Sequence, residues 1–305
     1  MDRPRIGLAL GGGGARGFAH IGVLQILQDA GIPIDYIAGT SMGAVIGAMY
    51  AETLDAYEVE NRWVAFLESD SYRGTGIPRI VRRNDKETSF WDQISSEIKG
   101  RIAINIARSR KALIKTERLT KGLGVLVTIR DFSECKIPLT VVATDMLNGT
   151  DVPMRTGELL PALQGSSAVP GFLEPVQSAG HLLSDGGVSC PVPVSYARGD
   201  GENTVVIGVG VAASIHEPAQ LDNAIDIMNR AEQITSYYYS NTQMKLADVP
   251  LYPDVYNIKW NEFERLPEMV QSGRKSAESM LSVIQEVVYR HKPWWQRIKM
   301  LFRPA

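Results

Sequence analysis

Short apolar runs alternate with longer stretches of helical character at the start of the chain. Apolar residues dominate positions 5–10 and 34–38, and each run leads into a stretch rich in apolar or small residues, at 18–30 and 44–51. An apolar run of about four to eight residues is typical of a buried strand, and a strand followed by a helix is typical of a parallel βα unit. The pattern therefore predicts an α/β fold with a mostly parallel central sheet.

The pattern changes after this first pair of units. It predicts a helix at 55–69, a loop at 70–88 and a basic helical stretch at 90–121. We interpret residues 70–121 as a helical insertion that covers the site as a lid, with its basic side toward phosphate. A solvated charged face is an alternative explanation of the same composition.

Sheet character returns in two runs of β-branched residues, at 137–144 and 204–210. Such runs are typical of strands that are buried on both faces. Two more helices are predicted near 219–245 and 262–290. The apolar stripe along the second of them indicates ordinary packing and gives no sign of a cofactor.

A serine lies between two glycines after the second predicted strand, in the sequence Gly39-Thr40-Ser41-Met42-Gly43. Where a strand turns sharply into a helix at a nucleophilic serine, side chains two positions before and after it clash with neighbouring backbone. The N-terminus of the following helix also favours negative charge on the serine oxygen. We therefore interpret Ser41 as a nucleophile on an elbow built with Gly39 and Gly43. An ordinary βα turn is the alternative.

A cluster of glycines at 11–17 follows the first strand. It also satisfies the dinucleotide fingerprint G-x-G-x-x-G, which requires an acidic residue at the end of the second strand. Asp35 lies at the start of that strand instead, so nucleotide binding is disfavoured. We expect the backbone N–H groups of this loop to form an oxyanion hole for an acyl-transfer intermediate.

A nucleophilic serine also needs a base. Asp185 follows a hydrophobic strand and precedes two glycines, and a buried carboxylate with a raised pKa can accept a serine proton directly. A histidine base such as His216, in the order Ser41, Asp185, His216, is the second hypothesis, and Asp145 is another candidate carboxylate. His20 is expected to pack or to cap a helix.

Four blocks of this sequence, in this order, resemble the patatin-like phospholipases, particularly the small bacterial members. The blocks are Gly12 to Gly17, Gly39 to Gly43, Ser166 to Pro170, and Asp185 to Gly187. The resemblance covers about residues 5–215 and implies a three-layer α/β/α fold. Gln164 departs from the pattern because relatives often carry a basic residue there, which leaves the headgroup contacts open.

The resemblance also implies roles for individual residues. Ser41 is the implied nucleophile and Asp185 the implied base, with no metal and no cofactor. The amides of Gly12, Gly13 and Gly14 are the implied oxyanion hole, with Arg16 beside them. The implied activity is a serine lipid-acyl hydrolase of phospholipase A or lysophospholipase type, acting on phospholipid or lysophospholipid. A non-catalytic regulator or scaffold that binds acyl lipids on the same fold is the alternative.

Composition sets the remaining expectations. We expect a catalytic domain at 5–215, C-terminal helices packed on it at 216–290 and a separate tail at 293–305 in this chain of 305 residues. A net charge of −2 gives no attraction to nucleic acid, and two cysteines without a C-x-x-C indicate neither a disulfide framework nor a thiolate metal site. No run reaches about eighteen apolar residues, so we expect a cytoplasmic protein, with a homodimer also compatible.

The tail has the pattern of an interfacial helix. Helical spacing places Trp294, Trp295 and Phe302 on one stripe, with Arg297 toward its flank. An aromatic stripe with basic flanks is typical of helices that lie on an anionic membrane surface. We therefore expect peripheral membrane contact through the tail, while docking onto the protein itself or a second copy is the alternative.

Overall fold

The computed structural model describes residues 3–75, 116–199, 202, 205–216, 221–222 and 224–289. Its strands are β1 (Ile6–Leu10), β2 (Tyr36–Thr40), β3 (Leu139–Asp145), β4 (Thr150–Met154), β5 (Val176–Ser178), β6 (His181–Asp185), β7 (Val205–Val209) and β8 (Val249–Leu251). Its helices are α1 (Ala19–Asp29), α2 (Met42–Thr53), α3 (Ala56–Glu68), α4 (Asp70–Thr75), α5 (Thr116–Leu126), α6 (Leu159–Ser166), α7 (Val194–Ala197), α8 (Ala224–Met244) and α9 (Leu266–Tyr289).

The strands form one mixed sheet in the order β5-β6-β3-β2-β1-β7-β8, and β4 also pairs with β3. Strands β1, β2, β3, β7 and β8 run parallel, whereas β4 and β6 run antiparallel to β3. The central strands are buried along their whole length. This is the burial expected for parallel strands covered on both faces, so the predicted fold class is confirmed.

Helices cover the two faces of the sheet. Along β1, Leu8 and Leu10 belong to the core that includes α1, α2, α3, α5 and α9, whereas Ala9 packs with α7 and with Met244 of α8. Successive side chains of a strand point to opposite faces. Helix α8 therefore lies on the opposite side of the sheet from α3 and α5.

Strand β6 lies end to end with β2. Val142 pairs with β2 on one edge and β4 on the other, and its neighbour Ala143 pairs with Asp185 of β6 and again with β4. Hence β6 occupies the same edge of β3 that β2 leaves. This arrangement brings Asp185, the last residue of β6, to the end of β2, where Ser41 begins the turn.

Two element boundaries near the site differ from the prediction. Strand β2 spans Tyr36–Thr40, because Asp35 lies outside it and holds the Ile6 N–H and the guanidinium of Arg3. The helix predicted at 18–30 opens with a 3₁₀ segment at Gly14–Phe18 and becomes α-helical only at Ala19. The glycine loop is consequently shorter than the sequence indicated.

The predicted loop at 70–88 is wrong in its first residues. Asp70–Thr75 is helical. The hydroxyl of Ser69, the residue before this helix, accepts from the Tyr72 N–H. Serine before a short helical turn is a capping signal that the sequence carried and the prediction missed. Of the basic stretch at 90–121, the structure describes only the end, which belongs to α5 and extends to Leu126; residues 76–115 lie outside the described residues.

Candidate active site

The backbone at Ser41 is held in a strained turn. Its φ is 52° and its ψ is −123°, a conformation that costs free energy for any residue with a Cβ. A Cβ added at Gly39 would lie 2.4 Å from Ala44 Cα, and one at Gly43 would lie 2.2 Å from the Leu10 carbonyl oxygen. The close contacts expected at both glycines are therefore present, and the helix that follows begins directly after Ser41.

The structure brings Ser41 and Asp185 together. The Ser41 hydroxyl donates to Asp185 Oδ2 over 2.6 Å, without an intervening side chain. The second carboxylate oxygen, Oδ1, accepts from the Gly187 N–H over 2.7 Å. A Cβ at Gly186 would lie 2.2 Å from the Val142 carbonyl oxygen, so only glycine allows β6 to end against β3 at this point. The carboxylate is thus fixed in direct contact with the serine.

Asp185 is buried, with 7% of the residue exposed. Burial raises its pKa from 3.8 to about 6, because the ionised form loses hydration, while the hydrogen bonds from Ser41 and Gly187 act in the opposite direction. Near neutral pH the group is largely ionised, yet basic enough to accept a proton. This is the protonation behaviour required of a general base.

Ser166 links the turn at Ser41 to β3 through two hydrogen bonds. Its hydroxyl donates to the Val142 carbonyl over 2.6 Å and accepts from the Ser41 N–H over 2.9 Å. The Ser166 side chain is fully buried. The Ser41 N–H lies beyond the end of β2, so Ser166 supplies the acceptor that a continuing strand would have supplied. Sequence reasoning included Ser166 in a block but gave it no role.

The amides of the glycine loop differ in their hydrogen bonding. Within the described chain, the Gly13 and Gly14 N–H groups have no hydrogen-bond acceptor. The Gly12 N–H, in contrast, donates to the Pro191 carbonyl over 3.0 Å. The single donor of Gly12 is thus used inside the protein, and its role at an oxyanion stays a prediction. All three glycines line the same cavity as Ser41.

Arg16 and His20 hold the loop in place. The Arg16 guanidinium is buried and donates to the carbonyls of Val211 and Ile258, and burial lowers its pKa to about 10. Arg16 lines the same cavity as the glycine loop, and its guanidinium anchors that loop to two neighbouring segments. His20 Nε2 lies 2.8 Å from the Gly11 carbonyl oxygen, and burial lowers the His20 pKa to about 4, so the ring is neutral and Nε2–H donates.

The alternative bases lie elsewhere. Asp145 is bound by the His181 ring, the Asn148 amide and the Leu147 N–H, and these bonds hold the pKa of its carboxyl well below the ordinary value. It organises the turn after β3. The His216 ring contacts Tyr237, and its Nε2 lies 3.5 Å from the Tyr237 hydroxyl. Neither residue forms a hydrogen bond with Ser41 in the described chain.

A cavity of about 250 Å³ opens at Ser41 and Asp185. Helices α2, α3 and α5 line it on one side with apolar side chains, among them Val45, Trp63, Phe66, Leu123 and Leu126. Helix α8 lines it on the other side. The serine therefore lines a largely apolar cavity that is large enough for part of a hydrocarbon chain.

Several predicted features fall outside the described residues. Trp294, Trp295, Arg297 and Phe302 lie there, as does most of the predicted lid. Among the residues that are described, no three His, Cys, Asp or Glu side chains are placed to hold a metal ion. In the same residues, every helix is too short or too polar to cross a bilayer.

Known proteins resemble this chain in sequence. The family model described as patatin-like phospholipase matches residues 8–198. "Uncharacterized NTE family protein Rv1063c" of Mycobacterium tuberculosis is 33% identical over 76% of this chain and 57% of its own length. "Patatin-like phospholipase domain-containing protein 6" of Homo sapiens is 29% identical over 67% of this chain and 13% of its own length. The chain thus spans little more than half of the mycobacterial relative.

Among solved structures, VipD from Legionella pneumophila aligns with 93% of this chain and 67% of its own, with a TM-score of 0.48 and 15% sequence identity. The family model covers well over half of the chain and includes Ser41 and Asp185. The chain belongs to the patatin-like phospholipase family.

Proposed function

We propose that the protein is a serine lipid-acyl hydrolase, of phospholipase A or lysophospholipase type, that uses Ser41 and Asp185 as a catalytic pair. The observation that carries the proposal is the 2.6 Å hydrogen bond from the Ser41 hydroxyl to a buried carboxylate in the lining of a largely apolar cavity. The family to which the chain belongs supports lipid ester hydrolysis as the reaction class.

The proposed reaction has two halves. In the first, Ser41 Oγ attacks the ester carbonyl carbon while its proton passes to Asp185 Oδ2, and the amides of Gly13 and Gly14 stabilise the carbonyl oxygen as it becomes negative. Asp185 then returns the proton to the departing alcohol, which leaves an acyl-serine. In the second half, water gives a proton to Asp185 and attacks the acyl-serine. Asp185 then returns that proton to Ser41 Oγ as the bond to the acyl group breaks, which releases the fatty acid and restores the pair.

The apolar side of the cavity suits the acyl chain. Burying hydrocarbon against Val45, Trp63, Phe66 and Leu123 is favourable by about 25 cal/mol per Å² removed from water. An ester bound with its chain on this side places its carbonyl at Ser41. We therefore assign the space between α2, α3 and α5 to the acyl group.

Labelling and product analysis test this proposal together. A fluorophosphonate probe should modify Ser41 alone, and intact protein should release fatty acid from phosphatidylcholine or lysophosphatidylcholine. Ser41→Ala should lose both properties while it remains folded. Labelling of a different serine contradicts the assignment. Lipid binding by intact protein without any release of fatty acid favours the alternative of a non-catalytic lipid-binding scaffold.

Membrane contact through Trp294, Trp295, Arg297 and Phe302 stays a proposal based on the sequence pattern. Deletion of residues 293–305 should release the protein from anionic vesicles in a sedimentation assay, while hydrolysis of a soluble short-chain ester is kept. Undiminished sedimentation of the shortened protein, or its unfolding, favours docking of the tail on protein.

A further inference from the structure

One face of α8 is apolar where the helix packs on the sheet and polar where it lines the cavity. Met244, at its C-terminal end, packs on the sheet with Ala9 and Val206. On the same face of the helix, toward its N-terminus, Ser240, Tyr237, Ser236 and Gln233 line the cavity. Residues three and four apart share one helix face. A face that only packed against protein would stay apolar, but this one becomes polar at the cavity.

The polar stripe and the apolar lining lie on opposite sides of Ser41. Helices α3 and α5 belong to the layer on one face of the sheet, and α8 belongs to the layer on the other. Ser41 lies between them, at the carboxyl end of β2. An ester whose acyl chain occupies the α3 and α5 side must therefore direct its alcohol toward α8.

We propose that Gln233, Ser236 and Tyr237 form the subsite for the leaving alcohol, and that this alcohol carries hydrogen-bonding groups of its own, as a glycerol-type headgroup does. The proposal rests on the proposed hydrolase function. A second hydrocarbon chain at these side chains is disfavoured, because it would remove the amide and both hydroxyls from water without replacing their hydrogen bonds. Of the two proposed activities, the subsite therefore favours the lysophospholipase type.

The contacts of these side chains leave them available to a ligand. Gln233 Oε1 accepts from Arg230 over 3.3 Å, which orients the amide group. The Tyr237 hydroxyl lies 3.5 Å from His216 Nε2, which is long for a hydrogen bond. Ser236 and Tyr237 are both half-buried. Hydroxyls in such positions discriminate well between alcohols that return a hydrogen bond and those that do not.

Two esters of one long-chain fatty acid test the subsite, one with glycerol and one with ethanol as the alcohol. We expect the intact protein to have the higher kcat/KM for the glyceryl ester. Tyr237→Phe and Ser236→Ala should each lower the ratio of the two values by about three- to tenfold, the effect of losing one uncharged hydrogen bond. Ser236→Thr, which keeps a hydroxyl, should restore most of the ratio.

Tyr238→Phe is the matched control, since Tyr238 is the next residue along α8, is 62% exposed and is not among the residues that line the cavity. The substitution keeps the ring that packs against Tyr237. It should change neither rate. An unchanged ratio in Tyr237→Phe and Ser236→Ala overturns the subsite, and so does an equal fall for both esters, which indicates a structural role. Failure of the intact protein to hydrolyse either ester contradicts the proposed function itself, and the subsite with it.

Discussion

Replacing Asp185 with Asn should stabilise the fold at neutral pH although it removes the proposed base. The carboxyl is buried beside Ser41, and the protein holds it ionised at the expense of its hydration. Asn has nearly the same shape, can accept the Gly187 hydrogen bond and carries no charge. The substitution therefore removes a desolvated charge without creating a cavity.

The size of this effect follows from the pKa of Asp185. The rise in pKa from 3.8 to about 6 means that the ionised carboxylate lowers the free energy of unfolding by about 3 kcal/mol above pH 7, at about 1.4 kcal/mol for each pKa unit. The folded protein holds the proton more tightly than the unfolded chain, so stability falls as pH rises from about 4 through about 6. The gain in the free energy of unfolding of Asp185→Asn over the intact protein should thus be near its maximum at pH 8 and about half as large at pH 5.

Urea unfolding of both proteins between pH 5 and pH 8 measures this difference. Asp145→Asn is the matched control with the opposite sign: the pKa of Asp145 is lowered by its hydrogen bonds, so its loss of charge should destabilise the protein at neutral pH. If Asp185→Asn unfolds more readily than the intact protein at pH 8, or if the difference does not vary with pH, Asp185 is not a desolvated carboxylate.

Three further predictions concern the surroundings of the pair. Ser166→Ala removes the hydroxyl that accepts from the Ser41 N–H and donates to the Val142 carbonyl, so kcat should fall about 10- to 100-fold with a smaller change in KM, and fluorophosphonate labelling should slow in parallel. Gly13→Val should lower kcat by about 100-fold or more, because a Cβ there would lie 2.7 Å from Val211 Cγ2 and shift the amide; Gly74→Ala, where nothing lies within 4 Å, is the control. Gly122→Leu should reduce kcat/KM for long acyl chains more than for short ones, since Gly122 lines the apolar side of the cavity, whereas Gly124→Leu on the same helix should not. Equal losses for both chain lengths would contradict the acyl assignment.

Local sequence was sufficient for the features that depend on neighbouring residues. The elbow at Ser41 was predictable because the glycines on either side are required by contacts within one βα unit. The strand at 205–209 was predictable from its β-branched run. In both cases the physical constraint lies within a few residues of the signal.

Features that depend on distant residues were not predictable in the same way. The pairing of β6 with the edge of β3 that β2 leaves brings Ser41 into contact with Asp185, 144 residues further along the chain. Local sequence marked Asp185 as one of several candidate bases, and the resemblance to a family indicated that it meets Ser41. The hydrogen bond of the Gly12 amide was not predictable either, because its acceptor, the Pro191 carbonyl, lies far along the chain. The polar residues of α8 could not be assigned to a site from the sequence, because the cavity that they line is formed by segments distant in the chain.

The central claim is that Ser41 and Asp185 act as one proton-transfer unit, and kcat/KM of Ser41→Ala, Asp185→Asn and the double variant on a soluble short-chain ester tests it most directly. Each single variant should lose about 1,000-fold or more, and the double variant should be no worse than either, because members of one unit are not additive. His216→Ala should keep its activity. If Asp185→Asn retains most activity while His216→Ala loses it, or if the two losses add in the double variant, the account of the pair is wrong.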